Sequence, residues 1–326
     1  MTKPDEAMLQ YFVGKDILEM NQFNRQQLEA VLYTAAYYEE KLNNKERLYD
    51  MDGKLMASLF FEPSTRTRLS FESAMHHLGG NVVTVSEAPG LQFSSRSKGE
   101  SIADSIKVIS SYCDVLVCRS SEDGTRHVVA DNSSVPVINA GDGAGQHPSQ
   151  SFLDMYCIFK EKGSPDGKTV AMLGDLKYGR TIHSLSQALS HYDTKIIFSS
   201  VPGLEMPPTQ LNDLKKAGVN YEETYNMEYA IKNSDIIYMT RVQKERFETM
   251  AEYEEANHKF SFTVDYLKLM REGAIIMHPL PRAGELDEAL DSYPGAAYFR
   301  QAAGGLPIRM ALLALVCGVV GNKRGV

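Results

Sequence analysis

The sequence predicts two α/β domains, each built on a mainly parallel sheet flanked by helices. Short apolar runs that indicate buried strands alternate with amphipathic helical patterns along the 326-residue chain, as is typical of parallel sheets with helices on both faces. A polar stretch with glycine and proline at 160–168 separates two such series. We therefore place one domain at 1–148, completed by a C-terminal helix within 302–326, and the other at 149–301. The length suffices for two cores.

The first series begins with a helical region and continues with strands and helices in alternation. Asn24 is expected to cap a helix in the first 50 residues. Strands are predicted at 55–61, 82–85, 114–118 and 135–139. The helix after the first strand has an apolar side formed by Leu69, Phe71, Met75 and Leu78. Another helix begins near residue 99, and Pro148 suits the first turn of a third.

The second series repeats the same alternation after residue 168. Strands are predicted at 170–173, 196–201, 236–239 and 274–277. Helices are predicted around 182–189 and 209–217. The apolar tail from Ala302 to Val320 is expected to form one helix.

Composition excludes several classes of function. A formal net charge of −8 argues against a general nucleic-acid surface. The cysteines form no C-x-x-C pair and no zinc spacing with histidine, which argues against a zinc site. We expect no cofactor. The cysteines indicate buried thiols in a reducing compartment. No apolar run reaches membrane-spanning length. We expect a soluble cytoplasmic protein with neither nucleic-acid nor membrane partners.

The first polar motif that follows a predicted strand lies at Ser64 to Arg68. The helix that starts there exposes unpaired N–H groups, which together with the helix dipole form an anion site. Two arginines and further hydroxyls at such a turn suit a phosphate better than a bare carboxylate. The same type of sequence also occurs at ordinary capped helices with solvated arginines. Whether Ser64 to Arg68 form an anion site therefore depends on the motifs that follow the other predicted strands.

Other polar motifs follow further strands in the same way. They contain Arg119, His147, Arg180, Arg241 and the Pro279–Pro281 turn. In open parallel sheets, ligands bind in the crevice outside the carboxyl ends of the strands. The two sheets can place these edges face to face, which would give an interdomain cleft lined mainly with cations.

The motifs that would indicate covalent catalysis or a bound nucleotide are missing from the sequence. There is no G-x-S-x-G elbow and no Walker A pattern. The glycines at 141–145 imitate a dinucleotide fingerprint, but their spacing is wrong. Cations and donors without a nucleophile–base pair point to a reaction between two anionic substrates, driven by orientation and charge stabilisation.

The motifs lie in longer characteristic stretches: FFEPSTRTRLSFE at 60–72, KGES at 98–101, NAGDG at 139–143, HPSQ at 147–150, GDLKYGRT at 174–181, TRVQKER at 240–246 and HPLPR at 278–282. These stretches closely resemble those of the aspartate carbamoyltransferase catalytic chains. The resemblance implies the aspartate/ornithine carbamoyltransferase-like fold and transfer of a carbamoyl group from carbamoyl phosphate to L-aspartate. N-carbamoyl-L-aspartate and phosphate are then the products, in de novo pyrimidine biosynthesis. It also implies a homotrimer with shared active sites and leaves regulatory chains open.

The resemblance further implies roles in binding carbamoyl phosphate. Its phosphate would be held by Ser64, Thr65, Arg66 and Thr67. Its carbonyl oxygen, negatively charged in the transition state, would be held by Thr67, Arg119 and His147. Its amide would be oriented by Gln150 and by the backbone carbonyls near Leu280 and Pro281. We count Arg66, Thr67, Lys98, Arg119 and His147 as catalytic.

For aspartate, the resemblance implies a second set of contacts. Arg180 would bind the α-carboxylate, and Arg241 with Gln243 the β-carboxylate, with Leu280 alongside. Ser94 and Lys98 would come from a neighbouring subunit to the carbamoyl phosphate, and Lys98 also to aspartate. The loop before Lys98 is slightly longer than usual, which leaves the register of Ser94 against Ser95 open.

Several alternatives stay open at this point. His147 is either a neutral donor to the carbonyl oxygen or a general base, and the cation-rich setting favours the donor. The acceptor amine could belong to ornithine, although a cationic acceptor should not need Arg180, Arg241 and Gln243 together. Ornithine enzymes typically have cysteine where Pro279 stands. A catalytically silent scaffold is the third alternative, against which the intact site residues argue.

Overall fold

Two units of parallel sheet and helix make up the protein. The computed structural model describes residues 2–86, 99–241, 249 and 260–321. Unit 1 comprises Met1–Phe152 and Gly304–Val326, and unit 2 comprises Leu153–Ala303. The division of substrate binding between the domains at 1–148 and 149–301 stays a prediction.

Unit 1 carries a four-stranded, fully parallel sheet in the order β2-β1-β3-β4. Its elements before the middle of the chain are α1 (Glu6–Tyr11), α2 (Arg25–Asn43), β1 (Leu55–Phe60), α3 (Thr65–His77), β2 (Asn81–Ser86), α4 (Ile102–Ser110), β3 (Val115–Ser120), α5 (Thr125–Asn132) and β4 (Val137–Asp142). Helix α6 (Pro148–Lys162) begins in unit 1, and its residues from Leu153 onwards belong to unit 2. Asn24 caps α2 as predicted, through a reciprocal capping box with Gln27. Helix α6 starts at Pro148, also as predicted.

Unit 2 carries a five-stranded sheet in the order β7-β6-β5-β8-β9, again parallel throughout. Its elements are β5 (Thr169–Leu173), α7 (Arg180–Leu189), β6 (Lys195–Ser199), α8 (Pro208–Lys216), β7 (Asn220–Thr224), α9 (Met227–Lys232), β8 (Ile236–Met239), β9 (Ile275–Met277) and α10 (Tyr298–Ala303). The predicted fold class is therefore confirmed for both halves of the chain.

The apolar tail does not form the single helix that the sequence predicted. Helix α10 ends at Ala303, and a separate helix, α11 (Gly305–Val316), belongs to unit 1. Pro307 has no N–H to donate to the carbonyl of Ala303, so a continuous helix would lack a bond at this point. Apart from the buried Arg309, helix α11 is almost entirely apolar, and it packs against α2 and α3, which explains its burial.

One predicted core position of α3 is wrong. Leu69 is 50% exposed, whereas Phe71, Met75 and Leu78 are fully buried. The buried face of the helix follows the i, i+3, i+4, i+7 pattern from Phe71 to Leu78, and Leu69 lies off this face. None of the described helices combines the length and the apolar character needed to cross a bilayer.

Candidate active site

The strand order places arginines beside the switch point of each sheet. Chain connections leave β1 towards β2 on one side and later reach β3 on the other, so the switch point of unit 1 lies between β1 and β3. In unit 2 it lies between β5 and β8. Ligands of open parallel sheets bind outside the carboxyl ends of the strands at such points. Arg66 and Arg119 lie at the first point, and Arg180 and Arg241 at the second.

The start of α3 forms an anion site in unit 1. Ser64 is the N-cap in an extended conformation, and its hydroxyl makes no capping hydrogen bond. The first intrahelical bond runs from the Arg68 N–H to the Ser64 carbonyl at 3.2 Å. The preceding N–H groups of the first turn therefore point out of the helix, where an anion binds favourably. Thr65 is exposed and Thr67 buried at this turn.

Arg66 contributes an uncompensated charge to this turn. Within the described chain it has no ion-pair partner, and partial loss of hydration lowers the pKa of its guanidinium below the usual value. An arginine nevertheless stays protonated at neutral pH. The neighbouring Arg68 instead approaches Glu72 at 3.9 Å. The same carboxylate accepts hydrogen bonds from Ser58 and Thr84, which ties α3 to β1 and β2.

Arg119 lies within β3 rather than just past it. The pairing of β3 with β4 shifts register between Cys118 and Ser120, directly at Arg119, and such bulges re-aim side chains next to active sites. Its guanidinium donates to Glu62 Oε1 at 2.8 Å and to the Ala140 carbonyl at 3.2 Å. The side chain is 10% exposed. It is thus a fixed, nearly buried cation.

His147 is buried against Arg119. Its Nε2 lies 3.5 Å from Arg119 Nη1, and its Nδ1 lies 3.4 Å from Ser149 Oγ. The contact with Arg119 is at the outer limit of a hydrogen bond, and a guanidinium can only donate, so this neighbour favours a neutral imidazole without fixing its tautomer. Gln150 is also buried, one turn into α6, where its N–H donates to the His147 carbonyl at 3.0 Å.

The turn between β4 and α6 is braced by charges that sequence reasoning did not assign. Asp142, 1% exposed, forms a short ion pair with Arg126 and accepts the Gly124 N–H at 3.1 Å. Arg126 also donates to Glu19 at 3.3 Å. A buried carboxylate needs such a partner. Because Asp142 lies inside the NAGDG motif, that motif was the feature of the sequence that could have indicated its role.

In unit 2, the loop that delivers Arg180 is held by its backbone. Gly174 has a φ of +113°, and a Cβ built there would lie 2.4 Å from the Thr240 carbonyl oxygen, so only glycine fits. The buried Asp175 carboxylate accepts the Tyr178 N–H at 3.0 Å. His183 donates from Nε2 to the Leu176 carbonyl at 2.8 Å. Arg180 then opens α7.

Arg241 follows β8 at the same switch point. The preceding Thr240 donates its N–H to the Leu173 carbonyl at 2.9 Å and its hydroxyl to the same oxygen at 3.2 Å. The ends of β5 and β8 are therefore bonded to each other directly beside Arg241. Ser94, Lys98 and Gln243 lie outside the described residues.

The turn after β9 holds Leu280 in an uncommon conformation. Its φ is +53°, in the left-handed region that side chains rarely adopt, and the following bond to Pro281 is cis. The Leu280 N–H donates to His278 Nδ1 at 2.8 Å. Leu280 and Pro281 are thus placed at the carboxyl edge of the sheet, next to β8.

Two other kinds of catalytic group find no support in the described chain. No group of three or more histidine, cysteine or carboxylate side chains in this part of the chain could hold a metal ion. Burial raises the pKa of the Cys118 and Cys157 thiols, so neither is a reactive thiolate.

Two family models cover nearly the whole chain. The aspartate/ornithine carbamoyltransferase carbamoyl-P binding domain matches residues 15–161, and the corresponding Asp/Orn binding domain matches residues 166–316. With parallel-sheet units and arginines at both switch points, the chain belongs to the aspartate/ornithine carbamoyltransferase family.

Similar proteins within this family are aspartate carbamoyltransferase catalytic subunits. The one from Thermococcus kodakarensis is 46% identical over 94% of this chain and 98% of its own length. The subunit from Methanosarcina acetivorans is 46% identical over 95% of this chain and 99% of its own length. The solved catalytic subunit of M. jannaschii aspartate transcarbamoylase superposes with a TM-score of 0.84 at 43% identity, covering 92% and 97%. The structure of aspartate transcarbamoylase from Trypanosoma cruzi in complex with N-(phosphonacetyl)-L-aspartic acid superposes with a TM-score of 0.87 at 37% identity. The match covers 97% of this chain and 98% of that one.

A pair of glycine variants tests the close approach of β5 and β8. Gly203 has a φ of +92° with nothing within 4 Å of a built Cβ, whereas Gly174 combines a positive φ with the contact to Thr240. We expect Gly203→Ala to lower the free energy of unfolding by about 1–2 kcal/mol, the cost of the left-handed backbone. Gly174→Ala should lose a further ~1–3 kcal/mol through overpacking. Urea denaturation measures both, and equal losses would contradict the close approach.

Proposed function

We propose that the protein catalyses transfer of the carbamoyl group from carbamoyl phosphate to the amino group of L-aspartate. The products are N-carbamoyl-L-aspartate and phosphate. The observation that carries the proposal is the set of arginines at both switch points, because both substrates are anions and each arginine pair matches one of them. Relatives named aspartate carbamoyltransferase over nearly their full length support the same acceptor.

The phosphate of carbamoyl phosphate binds at the start of α3. Its oxygens accept hydrogen bonds from the first-turn N–H groups and from the hydroxyls of Ser64, Thr65 and Thr67. Arg66 supplies the counter-charge, and its lack of an acidic partner in the described chain leaves that charge for the ligand. A helix N-terminus with an arginine suits a phosphate because charge-assisted hydrogen bonds are the strong ones.

The carbonyl oxygen of carbamoyl phosphate binds between Thr67, Arg119 and His147. Donors fixed before the reaction stabilise the negative charge that develops on this oxygen. His147 must then carry its proton on Nε2, while the Ser149 hydroxyl serves Nδ1 as a donor, since a hydroxyl both donates and accepts. Gln150 and the carbonyls of Leu280 and Pro281 orient the carbamoyl amide.

Aspartate binds through its carboxylates to the arginines of unit 2. Arg180 takes the α-carboxylate, and Arg241 with Gln243 takes the β-carboxylate, with Leu280 beside the amine. Planar guanidinium groups recognise carboxylates through paired hydrogen bonds. These two arginines would repel a cationic acceptor such as ornithine. Ornithine is therefore the second candidate acceptor.

The reaction proceeds by addition and elimination at the carbamoyl carbon. The neutral amine of aspartate forms the new C–N bond, and the electron pair of the carbonyl moves to its oxygen. The C–O bond to phosphate then breaks, and a phosphate oxygen accepts the amine proton. No side-chain base is needed for this step. His147 as general base is disfavoured because an imidazolium would face the Arg119 guanidinium.

A neighbouring subunit completes the site in a homotrimer. Ser94 and Lys98 reach carbamoyl phosphate from that neighbour, and Lys98 also reaches aspartate. Exposed apolar side chains on two packed elements, Leu69 on α3 and Val83 on β2, are 50% and 45% exposed and suit coverage by a second chain. We place the enzyme in the cytoplasm, in de novo pyrimidine biosynthesis.

An acceptor assay tests the proposed reaction directly. Purified protein supplied with carbamoyl phosphate should form carbamoyl-aspartate from L-aspartate, and little product from L-ornithine, because two arginines attract the first acceptor and repel the second. Product is measured by colorimetric ureido detection. Product with ornithine alone would support the second candidate, and no product with either would favour a catalytically silent scaffold.

Loss of Arg66 tests the phosphate half of the site. We expect Arg66→Ala to lower kcat by roughly 10²- to 10³-fold, because a preorganised charge at the leaving group is removed. The control is Arg25→Ala, which removes an exposed arginine paired with Glu29 on α2. Steady-state kinetics should leave the control at wild-type turnover. Unchanged turnover of Arg66→Ala would refute the phosphate role.

Mixing two inactive variants tests whether sites are shared. Lys98→Ala and Arg66→Ala chains, refolded together, should regain activity, since each mixed trimer contains one site with Arg66 from one chain and Lys98 from its neighbour. Separately refolded variants serve as controls. The absence of activity in isolated mixed trimers would rule out the shared site.

A further inference from the structure

The Leu280–Pro281 turn is held by a buried imidazole. His278 is 1% exposed, and both of its ring nitrogens are hydrogen-bonded within the protein. Its Nδ1 accepts the Leu280 N–H at 2.8 Å, which leaves the proton of the neutral ring on Nε2. Leu280 with its positive φ persists only where its surroundings fix it. The bond from its N–H to His278 is one such contact.

The tautomer of His278 is fixed in turn by Glu285. Nε2 donates to Glu285 Oε1 at 2.7 Å, and the other carboxylate oxygen accepts the Ala283 N–H at 2.8 Å. Glu285 is fully buried. Burial raises the pKa of its carboxyl, but the bonds from His278 and the backbone outweigh this effect, so the pKa lies below its usual value. Glu285 therefore remains an acceptor at neutral pH.

The backbone of His278 is anchored to the strand that precedes Arg241. The His278 N–H donates to Gln301 Oε1 at 2.8 Å, and Gln301 Nε2 donates to Asp154 at 2.6 Å. Asp154 also accepts the hydroxyl of Tyr238 at 2.8 Å. Tyr238 lies in β8. One buried chain of hydrogen bonds therefore relates the turn at Leu280 to the strand that delivers Arg241.

We propose that His278 and Glu285 are positioning residues that hold the Leu280–Pro281 turn at the reacting groups through the Nε2-protonated tautomer of His278. The proposal rests on the proposed function, in which the carbonyls of this turn orient the carbamoyl amide. Neither residue touches a substrate. Glu285 fixes the tautomer, the tautomer presents an acceptor to the Leu280 N–H, and that bond sets the direction of the turn.

Kinetics of matched variants test the proposal. Glu285→Gln should lower kcat roughly 10- to 100-fold, because a small misplacement of groups at the reacting centre is costly. The KM for carbamoyl phosphate should change little, since its phosphate is held in unit 1. Asp265→Asn, which removes the same charge from an exposed side chain of unit 2, should match wild type. Wild-type product formation from aspartate is measured first, so that failure of the function is recognised separately.

Substitutions of His278 separate positioning from a general structural role. Asn can still present an acceptor to the Leu280 N–H, whereas Leu cannot. We expect His278→Asn to retain more kcat than His278→Leu. The kcat of each variant is measured at a temperature equally far below its own Tm. An active wild type with wild-type kcat in both Glu285→Gln and His278→Leu would overturn the proposal.

The tautomer itself is measured in the intact wild-type protein. Nitrogen-15 NMR of histidine-labelled protein, with His278→Asn used for assignment, should show His278 protonated on Nε2. A proton on Nδ1 would overturn the proposal even if the variants fail to fold.

Discussion

An acidic chain that is to bind anions through arginine has to leave at least one guanidinium group without a carboxylate partner. The net charge is −8, yet Arg66 has no ion-pair partner in the described chain. Arg119 donates to Glu62 Oε1 at 2.8 Å. Arg282 with Asp291 and Arg300 with Glu161 form pairs with two contacts each. Two-contact pairs neutralise an arginine more fully, and these two arginines have no proposed substrate role.

Buried carboxylates in this protein mainly hold backbone rather than cations. Asp175 accepts an N–H in the loop before Arg180, and Glu285 accepts one in the turn after β9. Asp142 accepts one from Gly124 while it pairs with Arg126. A buried carboxylate without such donors would be costly. A buried carboxylate that accepts backbone N–H groups fixes its loop, and the position of these loops matters for the orientation of the proposed substrates. The same residue type thus fixes the backbone of loops near the strand ends.

The sequence was sufficient for the parts of the fold that depend on local pattern. Central strands such as β1 and β8 are buried on both faces and appear as apolar runs. Strand β7 is polar and partly exposed at the sheet edge, and α9 has six residues, so neither pattern stood out. The split between α10 and α11 could be predicted only by giving Pro307 more weight than the continuous apolar run around it.

The motifs gave the arginines and hydroxyls of the candidate site, but not the residues that hold them. Glu62 lies 57 residues from Arg119, and Gln301 lies 147 residues from Asp154. Nothing local in the sequence relates the members of either pair. Glu62 and Arg119 meet because β1 pairs with β3, and Gln301 and Asp154 meet through the packing of two helices, α10 and α6. The proposed substrate contacts themselves remain predictions from motif resemblance and chemistry.

The sheets provide position where the arginines provide charge. In unit 1 the Phe61 N–H, just after β1, donates to the Arg119 carbonyl at 2.9 Å. In unit 2 the Thr240 N–H, just after β8, donates to the Leu173 carbonyl at the end of β5 at the same distance. Each switch point is therefore closed by a backbone bond beside an arginine. That bond fixes the main chain from which the arginine side chain extends, at Arg119 in unit 1 and just before Arg241 in unit 2. A guanidinium group placed in this way can stabilise the negative charge that grows in the transition state of the proposed reaction.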